Sequence, residues 1–114
     1  MARLTIRIDF GNGSVLGPGK VRLLELIAET GSIRKAAAGM KMSYRRAWLL
    51  LKALRGTFGE ALVTTVTGGK AGGGARLTPL GRKVVSQYRG LEKAASKAGL
   101  KHLTSLSKHL AKKG

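Results

Sequence analysis

Between Pro18 and Gly59 the chain is cut by helix start and stop signals so closely that only short helices fit there. Pro18 suits a first helical turn and Gly31 a C-terminal cap. Val21, Leu24 and Leu26-Ile27-Ala28 recur between them at helical spacing, so residues 18–29 read as one helix. Ser32 is a new N-cap and opens a helix from Ile33 to about Gly39. Gly39-Met40-Lys41-Met42 is a second stop. Ser43 then caps a third helix, which runs to about Phe58 with Gly59 at its end. Two short helices joined by a tight turn make a helix-turn-helix.

The rest of the chain adds a wing to that arrangement. Residues 62–67 are β-branched and strand-like, residues 68–74 form a glycine-rich loop, and Ala75-Arg76-Leu77 returns as a short strand. Thr78 caps a fourth helix with Pro79 at its first position. Leu80, Val84, Tyr88 and Leu91 share one face of it, joined by Val85 and Ala95. Ahead of the helices, Leu4, Ile6, Ile8 and Phe10 alternate with Arg3, Thr5, Arg7 and Asp9, so residues 3–10 read as a half-buried strand. Gly11-Asn12-Gly13 ends it as a turn. The expected class is mainly α with a small β component: a winged helix-turn-helix ordered strand, three helices, β-hairpin wing, C-terminal helix. One domain covers 1–97. Residues 98–114 are a basic tail, helical or disordered, with Leu100, Leu103, Leu106 and Leu110 as a possible apolar stripe.

Charge narrows the partner. The chain carries 22 Lys and Arg against 5 Asp and Glu, a net +17. A folded domain this basic repels itself unless a polyanion is near. Nucleic acid is the commonest such polyanion, with anionic membrane behind it. No acid lies between Thr30 and Gly59, where Arg34, Lys35, Lys41, Arg45, Arg46, Lys52 and Arg55 all fall. A non-specific architectural or RNA-associated protein fits the charge equally well. No apolar run reaches the roughly 18 residues that would span a bilayer, and the N-terminus lacks the apolar stretch of a signal peptide. There is no cysteine, so disulfides and thiolate metal sites are excluded. A cytoplasmic location and no membrane contact follow as the default.

The third helix must pack on one side and offer donors on the other. Ala47, Leu50, Leu51, Leu54 and Phe58 share the core side, and Trp48 is expected at its border, in or near the core. Ser43, Tyr44, Arg45 and Arg46 occupy the first turn, the part of a second helix that meets base edges. Arginine there can donate two hydrogen bonds to guanine O6 and N7. Ser43 and Tyr44 suit phosphate oxygens. Arg34 and Lys35 open the preceding helix, where phosphate contact is expected. Lys70 in the glycine-rich tip can lie on the backbone or enter the minor groove, assisted by Arg76. The loop is no nucleotide-binding loop, since Lys70 is followed by Ala71 and position 64 is Thr. Gly11, Gly13 and Gly17 have the wrong spacing for a dinucleotide fingerprint. No acid pair is placed for acid–base work, and His102 and His109 lie in the tail without carboxylate neighbours. No enzyme activity is expected.

These segments resemble the N-terminal DNA-binding domain of the ModE-type molybdate-responsive regulators. The resemblance is densest in Ser43-Tyr44-Arg45-Arg46-Ala47-Trp48 and in the stretch from Thr67 to Thr78 followed by Gly81, and it covers about residues 18–96. Gly31-Ser32-Ile33 before an alanine-rich helix also fits. LysR-type regulators share the helix-turn-helix more loosely. The resemblance implies sequence-specific binding of double-stranded operators as a homodimer. It carries over Ser43, Tyr44 and Arg45 as recognition-helix positions and Lys70 as a wing position. Full-length members of that family continue into a C-terminal oxyanion-binding domain, whereas this sequence stops at Gly114. No cofactor and no molybdate-binding domain are therefore expected here, with a separate protein as the possible effector sensor.

Overall fold

A computed structural model describes residues 2–66 and 74–112. The elements are β1 (Ile8–Asp9), β2 (Val15–Leu16), α1 (Pro18–Thr30), α2 (Ile33–Gly39), α3 (Tyr44–Phe58), β3 (Val63–Val66), β4 (Gly74–Leu77), α4 (Pro79–Ala98) and α5 (Leu100–Lys108). The helix ends follow their caps. Ser32 Oγ accepts from the Lys35 N–H, Ser43 Oγ from the Arg46 N–H and Thr78 Oγ1 from the Gly81 N–H. Gly31 and Gly59 close α1 and α3 in the left-handed region. The turn between α2 and α3 is closed by the Met42 N–H on the Ala37 carbonyl and the Lys41 N–H on the Ala38 carbonyl. That double closure holds Lys41 at φ +56°, a conformation glycine usually takes.

The core is a knot of α1, α2 and α3 with the wing and α4 laid against it. Val21, Leu23, Leu24 and Ile27 of α1 are buried with Ala36 and Ala37 of α2 and Ala47, Leu51 and Leu54 of α3. The three alanines let these short helices approach closely. β3 and β4 pair antiparallel from Val63–Leu77 to Val66–Gly74. The hairpin is tied to α1 by the Ala75 N–H on the Gly31 carbonyl, 2.9 Å. Its base is tied to α4 by the Thr78 N–H on Leu62 O, 2.9 Å, and the Thr78 hydroxyl on Ala61 O, 2.8 Å.

Three expectations need correction. The N-terminal strand shrinks to two residues and pairs with β2, Ile8 opposite Leu16 and Asp9 opposite Val15. The alternation over 3–10 survives as burial, because Leu4, Ile6 and Ile8 are half-buried while their neighbours are exposed. Part of its backbone is satisfied otherwise: the Tyr88 hydroxyl donates to Ile6 O at 2.7 Å. Burial raises the pKa of that hydroxyl, so it stays protonated as a donor. Leu91, expected on the core face of α4, is 49% exposed, because the last buried residue of that helix is Tyr88. Trp48 is not core either but 41% exposed. Within the segment after α4, Leu100–Lys108 form α5, on which Leu100 and Leu106 are exposed, as is Leu110 beyond its end.

An ion-pair cluster clamps α1 to α4. Arg89 holds Glu25 through two hydrogen bonds of 3.0 and 2.8 Å and Glu92 through one of 2.8 Å, while Arg22 approaches Glu25 and Glu29 at 3.5 Å. The Arg89 hydrogen bonds hold the Glu25 carboxyl below its ordinary value of 4.5, against a smaller opposing effect of burial. A carboxyl whose folded pKa is depressed stabilises the fold above its unfolded pKa and loses that contribution as pH falls through the folded one. Thermal stability is therefore expected to decline as pH drops below about 4.5. Melting curves of Glu25→Gln across the same acid range should show a flatter decline; a parallel one would remove Glu25 from this role.

Candidate nucleic-acid interface

α3 is built with four distinct sides. At roughly 100° per residue, Ala47, Leu51 and Leu54 point inward and are buried. Arg45 and Leu49 point outward, and Leu49 is 54% exposed. Between these lie two flanks. Tyr44 and Trp48 stand on the flank beside the wing, and Arg46 and Leu50 on the flank beside the start of α1.

The wing-side flank is ordered by aromatic contacts. The Tyr44 and Trp48 rings meet edge to face, 6.1 Å between centroids and 82° between planes. The Arg34 guanidinium lies over the Tyr44 ring at 4.7 Å, within cation–π range. Ser32, Arg34, Tyr44, Trp48, Thr65 and Val66 line a concavity of about 420 Å³ between the helix-turn-helix and the wing. An arginine stacked in this way keeps its N–H edge free for hydrogen bonds in the ring plane.

The structure brings Arg34 and Tyr44 together at this concavity and leaves the other described candidates exposed around it on α2, α3 and β4. Arg34 and Lys35 are exposed on the first turn of α2, and Tyr44, Arg45 and Arg46 on the first turn of α3. Ser43 precedes them with its Oγ committed as acceptor to Arg46 N–H at 3.0 Å, so its hydroxyl proton remains for an outside acceptor. Arg76 is exposed on β4 opposite Thr64. Lys70 lies outside the described residues. Two exposed apolar residues of α3 were not legible in the sequence as part of this surface. Trp48 was expected in the core, yet its flank faces the wing across open space. Leu49 stands exposed on the outward face of the same helix. The i, i+4 spacing of Tyr44 and Trp48 was the signal that could have joined them.

Electrostatically the surface is one-signed. No acid lies on α2, α3, β3 or β4. Among the described residues the ion pairs all belong to Arg22 and Arg89, on α1 and α4. No group of three potential metal ligands gathers among the described residues, and no helix there is long and apolar enough to cross a membrane.

Residues 19–82 match the bacterial regulatory helix-turn-helix proteins of the lysR family. The chain is 40% identical over 92 residues to the molybdenum transport protein ModE of Azotobacter vinelandii, covering 81% of this chain and 33% of that one. It is 37% identical over 95 residues to the transcriptional regulator ModE of Haemophilus influenzae, covering 83% and 36%. A third relative, the DNA-binding transcriptional dual regulator ModE of Escherichia coli, is 37% identical over 81 residues, covering 71% and 31%. The chain thus spans about a third of the length of the curated relatives it matches. Among solved structures it is similar to that of the CbnR DBD–DNA complex, with a TM-score of 0.59 at 19% identity over 77% of this chain and 95% of the other.

Proposed function

Because the chain belongs to the lysR family of bacterial regulatory helix-turn-helix proteins, we propose that it binds double-stranded DNA sequence-specifically as part of a transcriptional regulator. The observation that carries this reading is the first turn of α3, where Tyr44, Arg45 and Arg46 stand exposed at an end fixed by the Ser43 cap. α3 enters the major groove. Arg45 donates two hydrogen bonds to a guanine. Leu49, one turn further along the same outward face, meets a thymine methyl. Arg34, Lys35, Ser43 and Tyr44 serve phosphates, as do Arg76 and Lys70 from the wing. The protein works in the cytoplasm as a homodimer that reads two half-sites about one helical turn apart. It performs no catalysis and needs no cofactor to hold DNA, and the family resemblance to ModE makes molybdate the effector to test.

Selection of bound duplexes from a random pool, with and without molybdate, gives the site and tests the effector together. On the selected site Arg45→Ala is expected to lose about 1–3 kcal/mol of discrimination against random duplex. Lys35→Ala should weaken both duplexes alike. Equal loss on both duplexes for Arg45→Ala would reduce that residue to a phosphate contact. A parent protein that enriches no duplex, or prefers structured RNA, would instead be an architectural or RNA-associated protein.

A further inference from the structure

A helix in the major groove has a phosphate backbone on each side of it. The groove is about 12 Å wide and a helix with side chains about 10–12 Å across, so both flanks come near a strand. The wing and the first turn of α2 serve one flank of α3. The other flank faces a groove of about 310 Å³ whose walls carry Arg7, Lys20 and Arg46. These three come from the N-terminal hairpin, α1 and α3. None of them is in an ion pair among the described residues. Lys20 Nζ donates to Val15 O at 3.1 Å, which positions it and leaves two further protons. Gly17, Pro18 and Gly19 also line this groove, where they add no long side chain to obstruct a backbone. Three uncompensated cations around a shallow groove beside a reading helix match a phosphodiester strand in charge and in access.

We propose that Arg7, Lys20 and Arg46 form a second phosphate-binding patch. It takes the DNA strand on the flank of α3 away from the wing. The proposal rests on α3 being the DNA-reading helix. It gives the N-terminal hairpin a role in binding: β1 and β2 hold Arg7 and the Val15 carbonyl on this wall. The protein then grips both strands bordering the major groove rather than one.

Two variants test it. Arg7→Ala removes one cation from an exposed position. Gly19→Glu places a carboxylate in the groove at a point where a Cβ meets nothing within 4 Å. A glutamate in the first turn of a helix favours the helix, so this variant should melt no lower than the parent. Binding of the selected and random duplexes is measured across a salt series, with phosphate ethylation to map contacts. Arg7→Ala is expected to reduce the salt slope by about 0.9 with the specific-to-random ratio unchanged. Gly19→Glu should weaken both duplexes by about tenfold or more, as expected for losing phosphate contacts. The phosphates that lose importance should lie across the major groove from those lost in Arg34→Ala. Parent-like binding by both variants would overturn the patch, and so would lost phosphates on the Arg34 side. Under either result Arg45→Ala would still report whether α3 reads bases. A parent that binds no duplex overturns both readings at once.

Discussion

Raising salt from 50 to 200 mM is expected to cut DNA affinity by about 10³–10⁵-fold. The origin is counterion release. Each phosphate neutralised by a Lys or Arg frees condensed cations, and that gain shrinks as bulk salt rises. The log–log slope is about −0.9 per contact, so roughly 6–10 contacts give the quoted range. The chain has the cations for this. Arg34, Lys35, Arg46 and Arg76 are exposed, and no carboxylate lies on their elements. Arg7 and Lys20 add a further wall. Anisotropy titrations on the selected duplex give the slope directly. A slope shallower than about −3 would mean that most of these side chains face solvent. The preference for selected over random sequence should fall much less steeply, because hydrogen bonds to base edges release few counterions.

The largest loss of stability from one added methyl group is expected at Gly81. This residue is buried in the first turn of α4, and a Cβ there would run into the Leu62 backbone carbonyl. That carbonyl cannot swing aside as a side chain would. It accepts the Thr78 N–H at 2.9 Å, and the Thr78 hydroxyl holds Ala61 beside it. Gly81→Ala must therefore separate the base of the wing from α4. A cost of about 3 kcal/mol is expected, at the upper end for overpacking. For a domain of this size that lowers the melting temperature by roughly 10–20 °C. Gly90→Ala is the control on the same helix. Gly90 is exposed with open space around it, so this change should stabilise by about 0.5–1 kcal/mol through helix propensity alone. Melting curves that move in opposite directions would establish close approach at Gly81; equal shifts would remove the steric argument.

The parts of the fold that were legible in the sequence are those set by local chemistry. Ser32, Ser43 and Thr78 act through bonds to backbone three residues away, so the starts of α2, α3 and α4 could be read within a residue. Gly31 and Gly59 marked two helix ends for the same reason. What could not be read depends on distant partners. The N-terminal segment is held in part by Tyr88, 82 residues away, and β2 is too short to leave a periodic signal. Trp48 was placed in or near the core because it borders Ala47 and is large and apolar. Its environment is decided by the wing, which leaves a concavity rather than a wall on that side. The first turn of α3 was legible as a candidate site because its cap and its cations are adjacent in sequence. The opposite wall was not, because Arg7, Lys20 and Arg46 converge only once three elements have packed.

The carboxylates clamped between α1 and α4 also leave other helices without a counter-charge of their own. Glu25, Glu29 and Glu92 are three of the five acids in the chain, and they gather around Arg22 and Arg89. The reading helix and the helix before it carry only cations. Cations also stand on α1, α4 and α5, but Arg22 and Arg89 are neutralised where they lie, whereas no cation of α2 or α3 is in an ion pair among the described residues. A polyanion that approaches α2 and α3 therefore meets no opposing charge on those helices.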